Sequence, residues 1–166
     1  MRFGLVRFLS AGGILLALMA SKADALTATA QFNVTATVLG NCAVSATDLA
    51  FGNYSANSAT PLPATSTLSV TCTSGTTYTV ALDGGTNKAS VTGRAMTDGA
   101  THNLNYALYT TNAYTSIWGD GTASTVTQAG TGSGSAQTLT VYGRIPVSQF
   151  VTAGSYSDRI TVTVTY

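Results

Sequence analysis

Apolar and polar residues alternate one by one in six stretches of the chain, the period of a half-buried β-strand, with little helical period anywhere. Residues 31–38 set Phe32, Val34, Ala36 and Val38 against Asn33, Thr35 and Thr37. Residues 67–73 place Leu68, Val70 and Cys72 on one face, and residues 77–83 do the same with Tyr78, Val80 and Leu82. The pattern returns at 103–109 with Leu104, Tyr106 and Leu108, at 137–145 with Leu139, Val141 and Ile145, and at 156–166 with Ile160, Val162, Val164 and Tyr166. Turn signals separate these runs: Asp83-Gly84-Gly85, Asp98-Gly99, Gly119-Asp120-Gly121 and a loose glycine stretch over 130–134. The expected fold is all-β, a two-sheet antiparallel sandwich whose inward sets form the core.

Composition sharpens this picture. The 166 residues include 30 Thr and 16 Ser, no Glu and a single His, so the polar strand faces carry hydroxyls where a free monomer often shows Lys or Glu. Such Thr ladders favour sheet packing but leave edges weakly protected against pairing with another strand. Either the edges are covered in the functional state, or the surface reflects a low-charge extracellular composition. A formal net charge of +1 with 8% charged residues supplies no basic stripe for a nucleic acid. General acid and base residues are nearly absent, which argues against an enzyme.

The N-terminus reads as a secretory signal peptide over residues 1–25: Arg2 and Arg7, an uncharged run of 13 residues over 8–20, then the small-x-small site Ala23-Asp24-Ala25. That run is too short to cross a bilayer as a helix, and nothing later is long enough. The 141 residues from Leu26 onward carry four basic and five acidic side chains, a net charge of −1. Strong electrostatic steering of a partner is not expected. Two cysteines in an exported chain, Cys42 and Cys72, read as one disulfide closing a loop of about 30 residues. A metal pair or a catalytic thiol would call for clustered His or Asp residues, and the lone His102 is remote in sequence.

The alternating segment ending at Val38 lies between the cleavage site and Cys42, so residues 26–40 form an N-terminal arm ahead of a domain spanning 41–166. An arm of this kind either adds itself to a sheet edge, with main-chain bonds giving affinity and alternate side chains filling pockets, or is the first strand of its own sandwich.

One ordered set of motifs runs through the whole exported portion. It comprises the arm over 32–38, Cys42, Leu49-Ala50-Phe51-Gly52, Ser69-Val70-Thr71-Cys72, Leu104-Asn105-Tyr106-Ala107-Leu108-Tyr109, Trp118-Gly119-Asp120-Gly121, residues 139–146, and the ending from Gly154 through Val162-Thr163-Val164-Thr165-Tyr166. This set resembles the spore coat protein U domain, a family that includes structural subunits of archaic, Csu-type chaperone-usher pili. The resemblance implies an incomplete immunoglobulin-like sandwich completed by a donor strand. A periplasmic chaperone would fill its groove first, and at the outer-membrane usher the arm of the next pilin subunit would replace the chaperone. By position, Phe32, Val34, Ala36 and Val38 would be the donor residues and Cys42–Cys72 the intradomain disulfide. No cofactor or metal is implied, and the cell surface would be the destination.

Other candidate chemistry is sparse. His102 is expected in a polar loop, Asp83, Asp98 and Asp120 as turn formers that bond nearby backbone, and Trp118 as a core plug at a hairpin end in preference to an exposed carbohydrate contact. Neither a nucleophile elbow nor closely alternating carboxylates for calcium occurs. Three function classes follow: a polymerising pilin for surface attachment and biofilm formation, a non-fimbrial coat or surface protein of the same family, and a monomeric binding module.

Overall fold

The computed structural model of the chain describes residues 25–166. All but the last residue of the predicted signal peptide lies outside the described residues. Residues Thr37–Tyr166 make up one compact unit. Among the described residues there are nine strands and no helix: β1 (Cys42–Ala46), β2 (Leu62–Cys72), β3 (Thr77–Leu82), β4 (Ala95–Thr97), β5 (Asn103–Asn105), β6 (Ala107–Tyr109), β7 (Gln128–Thr131), β8 (Gln137–Ile145) and β9 (Val162–Thr165). They form a four-stranded sheet in the order β1-β2-β8-β6, a three-stranded sheet β7-β3-β9 and a small β4-β5 hairpin. Every strand pair is antiparallel.

Alternation decides what is buried. Leu68, Val70 and Cys72 of β2, Tyr78, Val80 and Leu82 of β3, and Val141 and Ile145 of β8 are all buried, because successive side chains of a strand point to opposite faces. Register joins the inward sets: Leu68 lies opposite Leu139 and Ser66 opposite Val141 across β2–β8. Trp118 is fully buried between the sheets, and its indole Nε1 donates to the Val80 carbonyl at 3.0 Å. Cys42 and Cys72, opposite each other across β1–β2, are joined by a disulfide. Asp83, Asp98 and Asp120 each accept a hydrogen bond from the backbone N–H two residues on.

β1, β4 and the first residues of β2 lie outside the alternating runs, the run 31–38 forms no strand, and the structure departs from the sequence pattern further along the chain as well. The run 103–109 is two strands, since the Tyr106 N–H turns to the Arg94 carbonyl and the chain exchanges its partner β4 for β8 without losing its inward phase. The ending 156–166 is a strand only over Val162–Thr165, with Ser157 making an isolated bridge to Thr97. The glycine stretch over 130–134 begins inside β7, where Gly130 faces Tyr78 and a side chain would collide with the phenol ring. Four strands packed against three, all antiparallel, is the immunoglobulin-like arrangement.

Candidate functional site

The two sheets are not closed along one side. β1 is an edge of the four-stranded sheet and β9 an edge of the three-stranded sheet; these two strands approach each other, and the opening lies between the segment that follows β1 and the segment that precedes β9. β1 covers β2 only from Leu68 to Cys72. Past Ala46 the Thr47 N–H still reaches the Thr67 carbonyl at 3.0 Å, and the Ser66 hydroxyl pairs with Thr47 Oγ1 at 3.0 Å and donates to the Thr47 carbonyl. The chain then turns so that Leu49 and Phe51 lie over β8. Gly143 makes room for them: a Cβ there would come within 2.8 Å of Leu49 Cδ1 and 2.9 Å of Phe51 Cζ.

The result is a cleft of about 480 Å³. One wall runs from Ala46 to Phe51 and the other from Tyr156 to Val162, over a floor of Leu68, Leu82, Tyr106, Leu108 and Val141. Leu49, Phe51, Ile160 and Val162 are half-buried at the rim. A second depression of about 540 Å³, over Tyr78, Gly130 and Tyr166, is a shallow dish on the three-stranded sheet.

Carboxylates hold the second wall where the strand ladder does not. Asp158 Oδ1 accepts from the N–H groups of Thr86, Asn87 and Arg159 and from the Thr86 hydroxyl, at 2.8–3.2 Å. Its Oδ2 accepts from the Tyr106 hydroxyl at 2.8 Å. Burial, and then this bond to Asp158, pushes the Tyr106 phenol far above its ordinary pKa, so it is a fixed neutral donor. Asp83 Oδ1 accepts from the Thr161 N–H at 2.9 Å. Partial burial works to raise the Asp83 pKa, but hydrogen bonds from Thr161 and Gly85 and the Arg94 charge outweigh it and hold the group below the ordinary carboxylate value.

Arg94 is fully buried behind this wall and donates to the carbonyls of Leu82, Asp83 and Trp118 at 2.6–3.2 Å. Burial pulls its pKa down while Tyr106 and Asp83 oppose the shift. A guanidinium starts so high that it keeps its proton.

A mostly apolar floor beside the part of β2 that β1 leaves uncovered suits one kind of occupant. An extended chain can bond to the free N–H and C=O groups of an edge while its alternate side chains drop onto the floor. Of the two phenols that line the cleft, Tyr106 donates to Asp158 and Tyr156 to the Thr152 carbonyl. His102, with Nδ1 2.6 Å from Asp98 Oδ2, is an exposed pair on the β4–β5 turn. Among the described residues no group of three or more His, Cys, Asp or Glu could hold a metal ion.

Residues 25–41 form no strand and are exposed throughout. Phe32, Val34 and Val38 are 80–85% exposed, extreme for large apolar side chains, and Ala36 is exposed with them. The wall-forming roles of Asp83, Asp158 and Tyr106 were not visible in the sequence, where Asp83 reads only as a turn residue. Leu49 and Phe51, two apolar residues in a polar stretch, were the one signal for the first wall.

Three comparisons with known proteins bear on this geometry. Residues 28–163 match the family model described as the Spore Coat Protein U domain. The chain is 34% identical over 161 residues to "Protein U" of Myxococcus xanthus, covering 88% of this chain and 89% of the relative. It also resembles a chain in the crystal structure of the chaperone–tip adhesion subunit pre-assembly complex from the archaic chaperone-usher Csu pili of Acinetobacter baumannii, with a TM-score of 0.56 and 26% identity. That likeness covers 78% of this chain and 40% of the solved one, so this chain spans two-fifths of its neighbour. Both kinds of likeness point to a structural protein and not to an enzyme.

Proposed function

The chain belongs to the Spore Coat Protein U domain family, and from that premise we propose that it is a pilin that polymerises by donor-strand exchange into an archaic chaperone-usher fibre. The observation that carries this reading is the apolar-floored cleft left open between residues 46–51 and 156–162, in a chain that also bears an exposed alternating arm. Phe32, Val34, Ala36 and Val38 of one subunit enter the cleft of its neighbour, and Asn33, Thr35 and Thr37 face outward. Before assembly a periplasmic chaperone occupies the same cleft, and an outer-membrane usher is where the exchange occurs. Residues 1–25 are the export signal, and the fibre stands on the cell surface, where it serves attachment and biofilm formation.

A chain with this seam unfilled exposes apolar surface and unpaired edges, so it is expected to aggregate or be degraded when produced alone in the periplasm. Co-production with the cognate chaperone is expected to yield a soluble one-to-one complex, read by size-exclusion chromatography with light scattering. A stable, monodisperse monomer without any chaperone contradicts the pilin reading. It would favour a non-fimbrial surface-coat protein, the reading to which the family's description as a Spore Coat Protein U domain lends weight.

A further inference from the structure

We propose that the outer face of the four-stranded sheet carries a binding site for acidic polysaccharide, formed by Tyr109, Tyr114, Tyr142 and Arg144. The site stands independently of the fibre reading, because these side chains lie on the face of β8 opposite the one that floors the cleft. Tyr142 and Arg144 alternate with the inward Val141, Gly143 and Ile145, and across β6–β8 Tyr142 pairs with Tyr109 and Arg144 with Ala107. Tyr114, from the loop after β6, packs edge-on against Tyr109 at 5.3 Å between ring centroids. The same ring carries the Arg144 guanidinium at 5.0 Å from its centroid. To reach this place Tyr114 adopts φ of +53°, a conformation that a bulky residue takes only against strain.

Hydrogen bonding singles the cluster out. Of the eight tyrosines, Tyr54, Tyr78, Tyr106, Tyr156 and Tyr166 have hydroxyls bonded to other groups of the protein. The three whose hydroxyls make no such bond among the described residues are Tyr109, Tyr114 and Tyr142. Arg144 likewise makes no ion pair there: the one pair is His102–Asp98. Lys88 is engaged by Asn105, Arg94 is buried and Arg159 stands on the cleft wall, whereas Arg144 is held by an aromatic ring with its donors unspent.

The chemistry of the face selects the ligand. A planar guanidinium takes a carboxylate in a two-pronged bond, and the flanking phenols offer ring faces for a sugar's C–H face and hydroxyls for its hydroxyls. The neighbouring positions on β2 and β8, Thr65 opposite Tyr142 and Thr67 opposite Thr140, add hydroxyls, and Pro63 and Ala107, on either side of Arg144, add only small aliphatic surface. A protein partner would want an apolar centre at the interface, and one cation cannot hold a nucleic acid.

The test is binding of the purified full chain, in complex with its chaperone where one is required, to immobilised polygalacturonate at physiological ionic strength. Methyl-esterified polygalacturonate and poly-glutamate serve as comparison matrices. Saturable retention on polygalacturonate is expected, with about tenfold weaker binding for Arg144→Gln and an unchanged profile for Lys88→Gln. The double change Tyr109→Phe with Tyr142→Phe removes only two hydroxyls, cannot unfold the sheet, and is also expected to weaken retention. The proposal is overturned by no retention, by retention that Arg144→Gln leaves intact, by equal retention on the methyl ester, or by equal retention on poly-glutamate, which would assign the patch to an acidic protein.

Discussion

Val34→Asp is expected to abolish surface fibres while leaving the chaperone-bound subunit at its normal yield. The reason lies in where the side chain stands before and after assembly. In the subunit Val34 is 82% exposed, so a carboxylate there meets water and disturbs nothing. In the proposed fibre the same position lies on the apolar floor of a neighbour, where an unpaired charge costs several kcal/mol. Thr35 points the other way along the same strand, so Thr35→Asp should assemble far better and controls for general damage to the arm. Chaperone pull-down reports folding and electron microscopy of whole cells reports fibres. Loss of the chaperone complex in Val34→Asp, as complete as the loss of fibres, would make the arm an ordinary strand of its own domain.

The disulfide gives the next largest effect. Replacing Cys42 or Cys72 by Ser is expected to lower stability by roughly 2 to 5 kcal/mol, as when a native bridge is removed from a small exported domain. The bond joins residues 30 apart in sequence and fastens β1, a strand of five residues at a sheet edge, to the buried end of β2. Because β1 leads directly into the first wall of the cleft, the loss should also reduce recovery of the chaperone complex. Chemical denaturation of the complex with and without reductant measures the first effect. A thiol probe on the native protein checks the premise, since both cysteines should stay silent without reductant.

Strand content was legible in the sequence wherever one face is buried on a single continuous sheet. The alternations over 67–73, 77–83 and 137–145 are central strands whose inward residues form the core. Legibility fails where something other than face burial holds the chain. Residues 156–161 alternate like a strand, yet they are held by the Asp83 carboxylate on the Thr161 N–H, by the Asp158 carboxylate reaching Thr86, Asn87 and Tyr106, by single backbone bonds from Asp83 and Thr86 and by the Ser157–Thr97 bridge, contacts between residues far apart in sequence. β7 contains Gly130, which reads as loop until the Tyr78 ring lies across it. The seam was the least legible feature from periodicity, because a cleft arises from which strands are edges, and edge position follows from topology. The alternating arm could be read directly, since its pattern is local.

The most direct measurement of the account is hydrogen exchange over residues 31–38 in two states of the same subunit: bound to its chaperone and assembled in purified fibres. Ladder hydrogen bonds slow amide exchange, the logarithm of the slowing scaling with the free energy needed to open them. The account predicts fast exchange across 31–38 in the chaperone complex and strong protection in the fibre, with protection of the β1 and β9 edges retained in both. Amides of 31–38 that remain fast in the fibre, or that are already protected in the chaperone-bound subunit, would contradict it.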